Sequence, residues 1–309
     1  MKHAVITKAQ LKAESEAWKI PFPNLLAGYL LEELMYCISE SEYGACLWLK
    51  NDGILGVEQY RKRENSLTLD FAYVLNPKVV EKGKLCPGQR ISLKLAYLML
   101  QQFMEKEKTP RIKWKGRAIL NENGTEFEIV GEFEEMTVPF RVCVTEVSVE
   151  DNFMPRRKEL VPFMAPGEEI SYLEYPGELF LTEQLGVVLK QMELIPDMDS
   201  YLQIYQILSK TPMNGRHVKE ELAQLCERER ISMEEDRGKE LISYREYSYM
   251  RKRWEKYLRH CGKTEPKWEE VVDKNTDALL RCAREKRPLF CKPLEQLRNP
   301  LLLMGSIGD

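Results

Sequence analysis

The sequence predicts an α+β fold, with a mixed sheet in its first half and an all-helical second half. Three observations carry this. The first hundred residues alternate helical and strand patterns, residues 112–149 switch to period two, and every periodic segment after residue 169 repeats at helical spacing. Two domains suit a chain of 309 residues. The stretch 151–169 holds Pro155, Pro162 and Pro166 beside Arg156, Arg157 and Lys158, without sustained periodicity. The boundary is therefore set at residue 165, giving domains 1–165 and 166–309.

Pro21 and Pro23 open a helix with Leu26, Leu30, Leu34 and Ile38 on its buried face. A short apolar strand over 45–50 follows. Asn51, Asp52 and Gly53 then signal a turn, and a second helix is expected over 54–60. Residues 67–75 (LTLDFAYVL) read as a strand closed by Asn76-Pro77, and 90–106 as a helix with Leu93, Tyr97, Leu100 and Met104 at helical spacing. The NENG sequence at 121–124 marks a hairpin, with strands before it from Ile112 and after it over 126–132 and 140–149. In the second half, helices are expected over 178–191, 201–208, 218–229, 241–261 and 268–285, with an irregular tail opening at Pro288.

Composition narrows the function classes. With 46 Lys plus Arg against 49 Asp plus Glu, the net charge of -3 is not that of a polycation, so any nucleic-acid role must be local. The most apolar run, 25–37, is interrupted by Glu32 and Glu33, so no membrane segment is expected and the cytoplasm is the expected compartment. Eight cysteines without a C-x-x-C pair offer neither a zinc ribbon nor a dithiol redox motif, and read as free intracellular thiols. Three isolated histidines exclude an H-E-x-x-H motif.

Two strand carboxylates are candidates for chemistry, because a hard divalent cation needs clustered anionic oxygens. Alternation places Asp70 with Thr68 and Ala72, opposite Leu69, Phe71 and Tyr73. Glu146 continues the apolar row Phe140, Val142, Val144, as a residue at a strand end or in a site would. A third feature is a basic segment, 241–263, where seven Lys or Arg interleave with aromatics, a pattern that can bind single-stranded nucleic acid. Its stripe of Met250, Trp254, Tyr257, Leu258 and Cys261 gives the simpler account, in which the cations form the wet face of a packed helix. Conversely, residues 122–151 hold nine acidic residues and a lone Arg141, a sheet that would repel nucleic acid and suit a basic partner.

The order of short motifs resembles a known family. Leu49-Lys50-Asn51-Asp52-Gly53 follows an apolar strand, then come Thr68-Leu69-Asp70-Phe71, Tyr175-Pro176-Gly177-Glu178 and Glu183-Gln184-Leu185. In that order they resemble the AbiEii-type nucleotidyltransferases, the toxin half of abortive-infection toxin–antitoxin pairs. The segments 30–41 and 253–280 are similar to the family's early and closing helices, so the resemblance runs in pieces over the whole chain. It implies a polymerase-β-like nucleotidyltransferase domain followed by an all-α domain. It also implies Asp70 and Glu146 as catalytic and magnesium-binding residues, with Lys50, Asn51, Asp52, Gly53, Glu183 and Gln184 lining a nucleoside triphosphate site. An antitoxin-like protein is the implied partner.

The departures from the family pattern bear on activity. Thr68 stands where the first of two aspartates is expected, and a neutral hydroxyl ligates magnesium poorly. Asn51-Asp52 replaces a glycine turn whose backbone N–H groups would approach phosphates, and brings negative charge toward a polyanion. Gln184 replaces a lysine, and Asp199 to Tyr205 keeps only the end of a later motif. The expectation is a degenerate site with magnesium held weakly or not at all. Two alternatives stand beside it: an active enzyme moving a nucleotidyl group to an RNA or protein hydroxyl, with Asp52 as substitute ligand, and a nucleic-acid-binding module using the basic helix.

Overall fold

The computed structural model describes residues 6–61, 67–77, 84–122, 124–149, 153–210, 212–231 and 235–284. The expected tail from Pro288, with Cys291, lies outside the described residues. The chain divides into two compact units, 1–176 and 177–309.

The first unit is built on a seven-stranded mixed sheet. Its strands are β1 (Leu47–Leu49), β2 (Thr68–Val74), β3 (Ile112–Asn121), β4 (Gly124–Phe133), β5 (Met136–Val147), β6 (Arg156–Leu160) and β7 (Ile170–Glu174), in the spatial order β3-β4-β5-β2-β1-β7-β6. The pairs β2–β5 and β1–β7 are parallel, while β1–β2, β3–β4, β4–β5 and β6–β7 are antiparallel. Helices α1 (Lys8–Trp18), α2 (Phe22–Ser39), the single turn α3 (Val57–Tyr60) and α4 (Leu93–Phe103) belong to the same unit. In β4 burial alternates residue by residue, and Phe127, Ile129 and Phe133 enter the core that α2 and α4 also line. We call the sheet surface bearing these side chains the inner face.

Three sequence expectations change here. The boundary at residue 165 falls too early, because β7 pairs with β1 and with β6 inside the sheet. The supposed linker 151–169 contains β6, an edge strand of sequence RRKEL whose charges hide any apolar alternation, as edge strands often do. The helix expected over 54–60 is a 3-10 turn, Asp52–Ile54, followed by α3, with Gly56 between them at φ 99°, a backbone region that favours glycine. Helix α1 adds an element the apolar pattern did not announce. Its start is fixed by a capping box in which Thr7 accepts from Gln10 N–H and Gln10 returns the bond to the Thr7 N–H.

Helix α2 is buried on nearly all sides, and its two glutamates go with it. Tyr60 donates its hydroxyl to Glu32 Oε1 at 2.8 Å and accepts from Gly56 N–H at 3.0 Å, while Phe163 N–H donates to Glu32 Oε2 at 3.1 Å. Glu32 thus fastens α3 and the β6–β7 connection to the helix. The ring of Tyr60 lies against Gly28, where a Cβ would come within 2.4 Å of Tyr60 Cδ2, so only glycine admits it. Burial pushes the Glu32 carboxyl from about 4.5 up to about 8, against its two hydrogen bonds, and burial with Glu168 nearby pushes Glu33 to about 7.

The second unit contains α5 (Gly177–Gln191), α6 (Asp199–Lys210), α7 (Gly215–Glu229), α8 (Glu235–Ser243), α9 (Ser248–His260) and α10 (Trp268–Arg284). Its core centres on Tyr201, Trp254 and Trp268, with ring centroids 5.1 Å apart for Tyr201–Trp268 and 5.9 Å for Trp254–Trp268. The single helix expected over 241–261 is broken between α8 and α9. There the Tyr244 carbonyl accepts from Trp268 Nε1 at 2.8 Å, and tight turns at 242–247 replace the helical ladder. No helix among the described residues is long and apolar enough to cross a membrane.

The raised carboxyls make a pH prediction. A carboxyl with a higher pKa folded than unfolded binds more protons in the native state, so its stabilising effect is complete below about 4.5 and is lost as pH rises through 8. The urea midpoint should fall between pH 5 and pH 8.5. Glu32→Gln removes the titrating carboxyl while its amide oxygen still accepts one of the two bonds, from Tyr60 or from Phe163 N–H, and should flatten most of that slope, with the remainder due to Glu33. A midpoint equally steep in native and Glu32→Gln proteins would refute the buried-carboxyl account.

Candidate functional site

The parallel pairing of β2 with β5 sets what Asp70 can meet. Asp70 lies opposite Cys143, Thr68 opposite Arg141 and Ala72 opposite Thr145, so these side chains share the outer face of the sheet. Glu146 lies opposite Tyr73, one of the core residues, and therefore projects from the inner face. The expected pairing of Asp70 with Glu146 on one metal is thus corrected: carboxylates on opposite faces of a sheet cannot share an ion. Glu146 has another role. Its Oε1 accepts the Ile91 N–H at 2.5 Å and its Oε2 lies 3.8 Å from Arg90 Nε, just before Ser92 caps α4.

On the outer face, the position next to Asp70 is a thiol. Burial, and then the nearby Asp70 charge, push the Cys143 thiol above its ordinary range, so it stays protonated. The next carboxylate across the sheet is Glu126, opposite Cys143 on the far side, about 10 Å from Asp70 at the usual strand spacing. It is already engaged, with Oε1 2.7 Å from Arg141 Nε. Magnesium requires several hard oxygen ligands in near-octahedral array. A single aspartate beside a hydroxyl, a neutral thiol and a guanidinium does not fit it. Among the described residues no group of three or more His, Cys, Asp or Glu could hold a metal ion.

The turn after β1 is equally occupied. Asn51 donates its amide to the Thr68 carbonyl at 2.8 Å and accepts the Asp70 N–H at 2.9 Å, extending the β1–β2 ladder with its side chain. The Lys50 N–H donates to the Asp70 carbonyl at 2.7 Å, and the Lys50 ammonium lies 4.9 Å from the centre of the Tyr175 ring. Asp52 opens the 3-10 turn and pairs with Lys158 on β6 at 2.5 Å, while Lys158 also reaches Glu174 at 2.6 Å. Burial works against the Lys158 charge, but its bonds to Asp52 and Glu174 outweigh it and hold the ammonium above its ordinary value. Asp52 is consequently bound to a cation and does not stand in as the missing metal ligand. Gly53 has open space where a Cβ would be, so no close backbone approach demands glycine there.

Glu183 and Gln184 lie half-buried on α5 in the second unit. In the same unit, Asp199 accepts from Tyr257 Oη at 2.7 Å and from Gln203, which makes it an anchor between α6 and α9. The basic helix is largely engaged as well. Arg253 donates to the carbonyls of Glu193 and Ile195 and stacks on Tyr249, Arg251 pairs with Glu269 at 2.7 Å, and Arg245 lies 3.4 Å from Asp273. The acidic sheet is less acidic than its sequence: Arg117 pairs with Glu128, Lys115 with Glu132 and Arg141 with Glu126. Cations on β3 and β5 sit beside the β4 acids, a neutralisation that only the strand register creates.

No protein-family model matches the sequence, and no curated protein matches it. Among solved structures, JHP933 from Helicobacter pylori aligns over 85% of this chain and 93% of its own, with a TM-score of 0.44 and 8% identity. A provisionally assigned nucleotidyltransferase from H. pylori aligns over 87% of this chain and 96% of its own, with a TM-score of 0.43 and 11% identity. Likeness at this level is too slight to establish a common fold.

Two predictions follow from these contacts. Asn51→Ala removes both side-chain bonds to β2 and should cost about 1–3 kcal/mol in denaturant unfolding, the usual cost of leaving partly buried backbone groups unpaired. Asn51→Gly should be no better, whereas a turn built to receive phosphate would tolerate glycine. On α9, Arg253→Ala should lower the melting temperature by several degrees because two backbone carbonyls lose their donor. Joint replacement of exposed Lys252 and Lys256 by Ala should leave it unchanged; tight RNA binding lost in that double variant would instead make α9 a nucleic-acid surface.

Proposed function

We propose that this chain is a nucleotidyltransferase-type scaffold of the AbiEii kind whose metal site has decayed, so that it acts as a weakened or inactive homologue by binding a partner protein. The ordered series of motifs supports the family, and the mixed sheet with its helices, followed by a unit whose described elements are helices, agrees with the architecture the resemblance implies. The observation that carries the loss of activity is the outer-face register. Asp70 is flanked by Thr68 on its own strand and faces Cys143, and neither neighbour supplies an anionic oxygen at neutral pH. No step of transfer chemistry is assigned to the site, because its donors do not suit magnesium. What the scaffold retains is a shaped surface, with the Asn51 and Asp52 turn held closed by its own hydrogen bonds and ion pair.

The register also says how to rebuild the site. Thr68→Asp restores a carboxylate two residues from Asp70, and Cys143→Asp places a third directly across from it on the same face. The double variant should bind magnesium at least tenfold more tightly than the native protein by calorimetry, with retention of folding checked by circular dichroism. Glu146→Asp, on the inner face, should give no such gain. Efficient magnesium-dependent transfer of labelled nucleotide by the native protein, abolished by Asp70→Asn, would overturn the inactive reading in favour of an active nucleotidyltransferase.

A further inference from the structure

Cys46 and Cys86 are separated by 40 residues in sequence, yet their sulfurs lie 3.3 Å apart. Cys46 is buried at the start of β1, and Cys86 is half-buried in the segment leading to α4. That segment is a strap laid across the end of the sheet. Lys84 donates to the carbonyls of Ser39 and Ser41 at 2.7 and 3.0 Å, the Leu85 N–H donates to the Glu42 carbonyl, the Cys46 thiol donates to the Leu85 carbonyl at 2.8 Å, and Ile91 N–H is held by Glu146. Several independent bonds therefore hold the two thiols in register. Beside them Tyr73 buries a hydroxyl that has no hydrogen-bond partner among the described residues.

We propose that Cys46 and Cys86 form a site of oxidative modification, closing an intramolecular disulfide that locks the 84–91 strap onto β1. The sulfurs need to approach by little more than an ångström to reach the bonding distance of about 2.05 Å. The oxidant class is a small-molecule disulfide such as oxidised glutathione. The half-buried Cys86 thiolate attacks one sulfur of the oxidant, forming a mixed disulfide and releasing one glutathione thiolate. The Cys46 thiolate then attacks Cys86 Sγ, forming the Cys46–Cys86 bond and releasing the second glutathione thiolate. Two protein thiols are oxidised, one oxidant molecule is reduced, and the two protons lost from the cysteines are taken up by the released glutathione. Burial holds both thiols above their ordinary range, so closure is slow at neutral pH and faster in mild alkali. Cys37 and Cys226 are buried, and Cys143 and Cys261 are half-buried; no thiol–thiol contact joins any of these among the described residues. The site is independent of the nucleotidyltransferase reading.

The test uses the full chain, incubated at pH 8 with oxidised glutathione or with dithiothreitol, then alkylated and mapped by mass spectrometry without reduction. The expected product is a linked peptide pair containing Cys46 and Cys86, two hydrogens lighter than the free peptides. The oxidised protein should melt several degrees above the reduced protein, because the cross-link restricts the unfolded chain, and Cys86→Ser should abolish that difference. Cys86→Ser alters a half-buried residue and should fold even if a Cys46 variant does not. Cys46 remaining fully alkylated after denaturation, a persistent glutathione adduct on Cys86, or Cys86 linked to another cysteine would each overturn the proposal.

Discussion

The parallel pairing of β2 with β5 fixes the face from which each side chain of the central strands projects. Side chains on a strand alternate with period two, and aligned residues of adjacent strands share a face. Once Asp70 aligns with Cys143, every neighbour on the central strands is assigned. Leu69, Phe71 and Tyr73 enter the core with Val142 and Val144, and Asp70 is left on the outer face with Thr68 and Arg141. A shift of one residue would bury Asp70 and expose an aromatic row, so hydrophobic burial enforces the same register that keeps the two candidate carboxylates apart.

The polar residues around β1 and β2 then serve assembly. Asn51 continues a backbone ladder beyond the end of a three-residue strand, and Asp52 reaches β6 through Lys158, which Glu174 of β7 also holds. Lys158 thus fastens an otherwise solvent-exposed edge strand to the turn after β1. Deeper in the unit, Glu32 does similar work through Tyr60 and Phe163. An uncharged carboxyl is the less costly form in that setting, which is why burial dominates its titration.

The two units rely on different organising forces. In the first, a sheet with helices on its inner face builds the core, and long-range strand pairing sets every site position. In the second, aromatic contacts between Tyr201, Trp254 and Trp268 bring distant helices together, and indole N–H groups bond carbonyls at the points where helices end. The break between α8 and α9 belongs to this pattern: Trp268 draws on the Tyr244 carbonyl, and the chain turns there.

Local patterns in the sequence were sufficient for much of the architecture. Period two over 112–149, the NENG hairpin and the helical spacing of Leu26, Leu30 and Leu34 are short-range consequences of strand and helix geometry, and they specify β3, β4, β5 and α2 without reference to the rest of the chain. The faces of Asp70 and Glu146 relative to their own strands were legible for the same reason. What tertiary structure alone decided was the relation between strands: that Asp70 meets a thiol, that Glu146 turns to the start of α4, that Lys158 takes Asp52 out of reach of a metal, and that Cys46 and Cys86 touch. β6 leaves no apolar alternation in the sequence because an edge strand needs none, and the α8–α9 break leaves no local mark because its cause lies on a helix more than twenty residues away. Each of these depends on contacts between segments far apart in sequence, and the periodicity of one segment carries no information about the register of its partner.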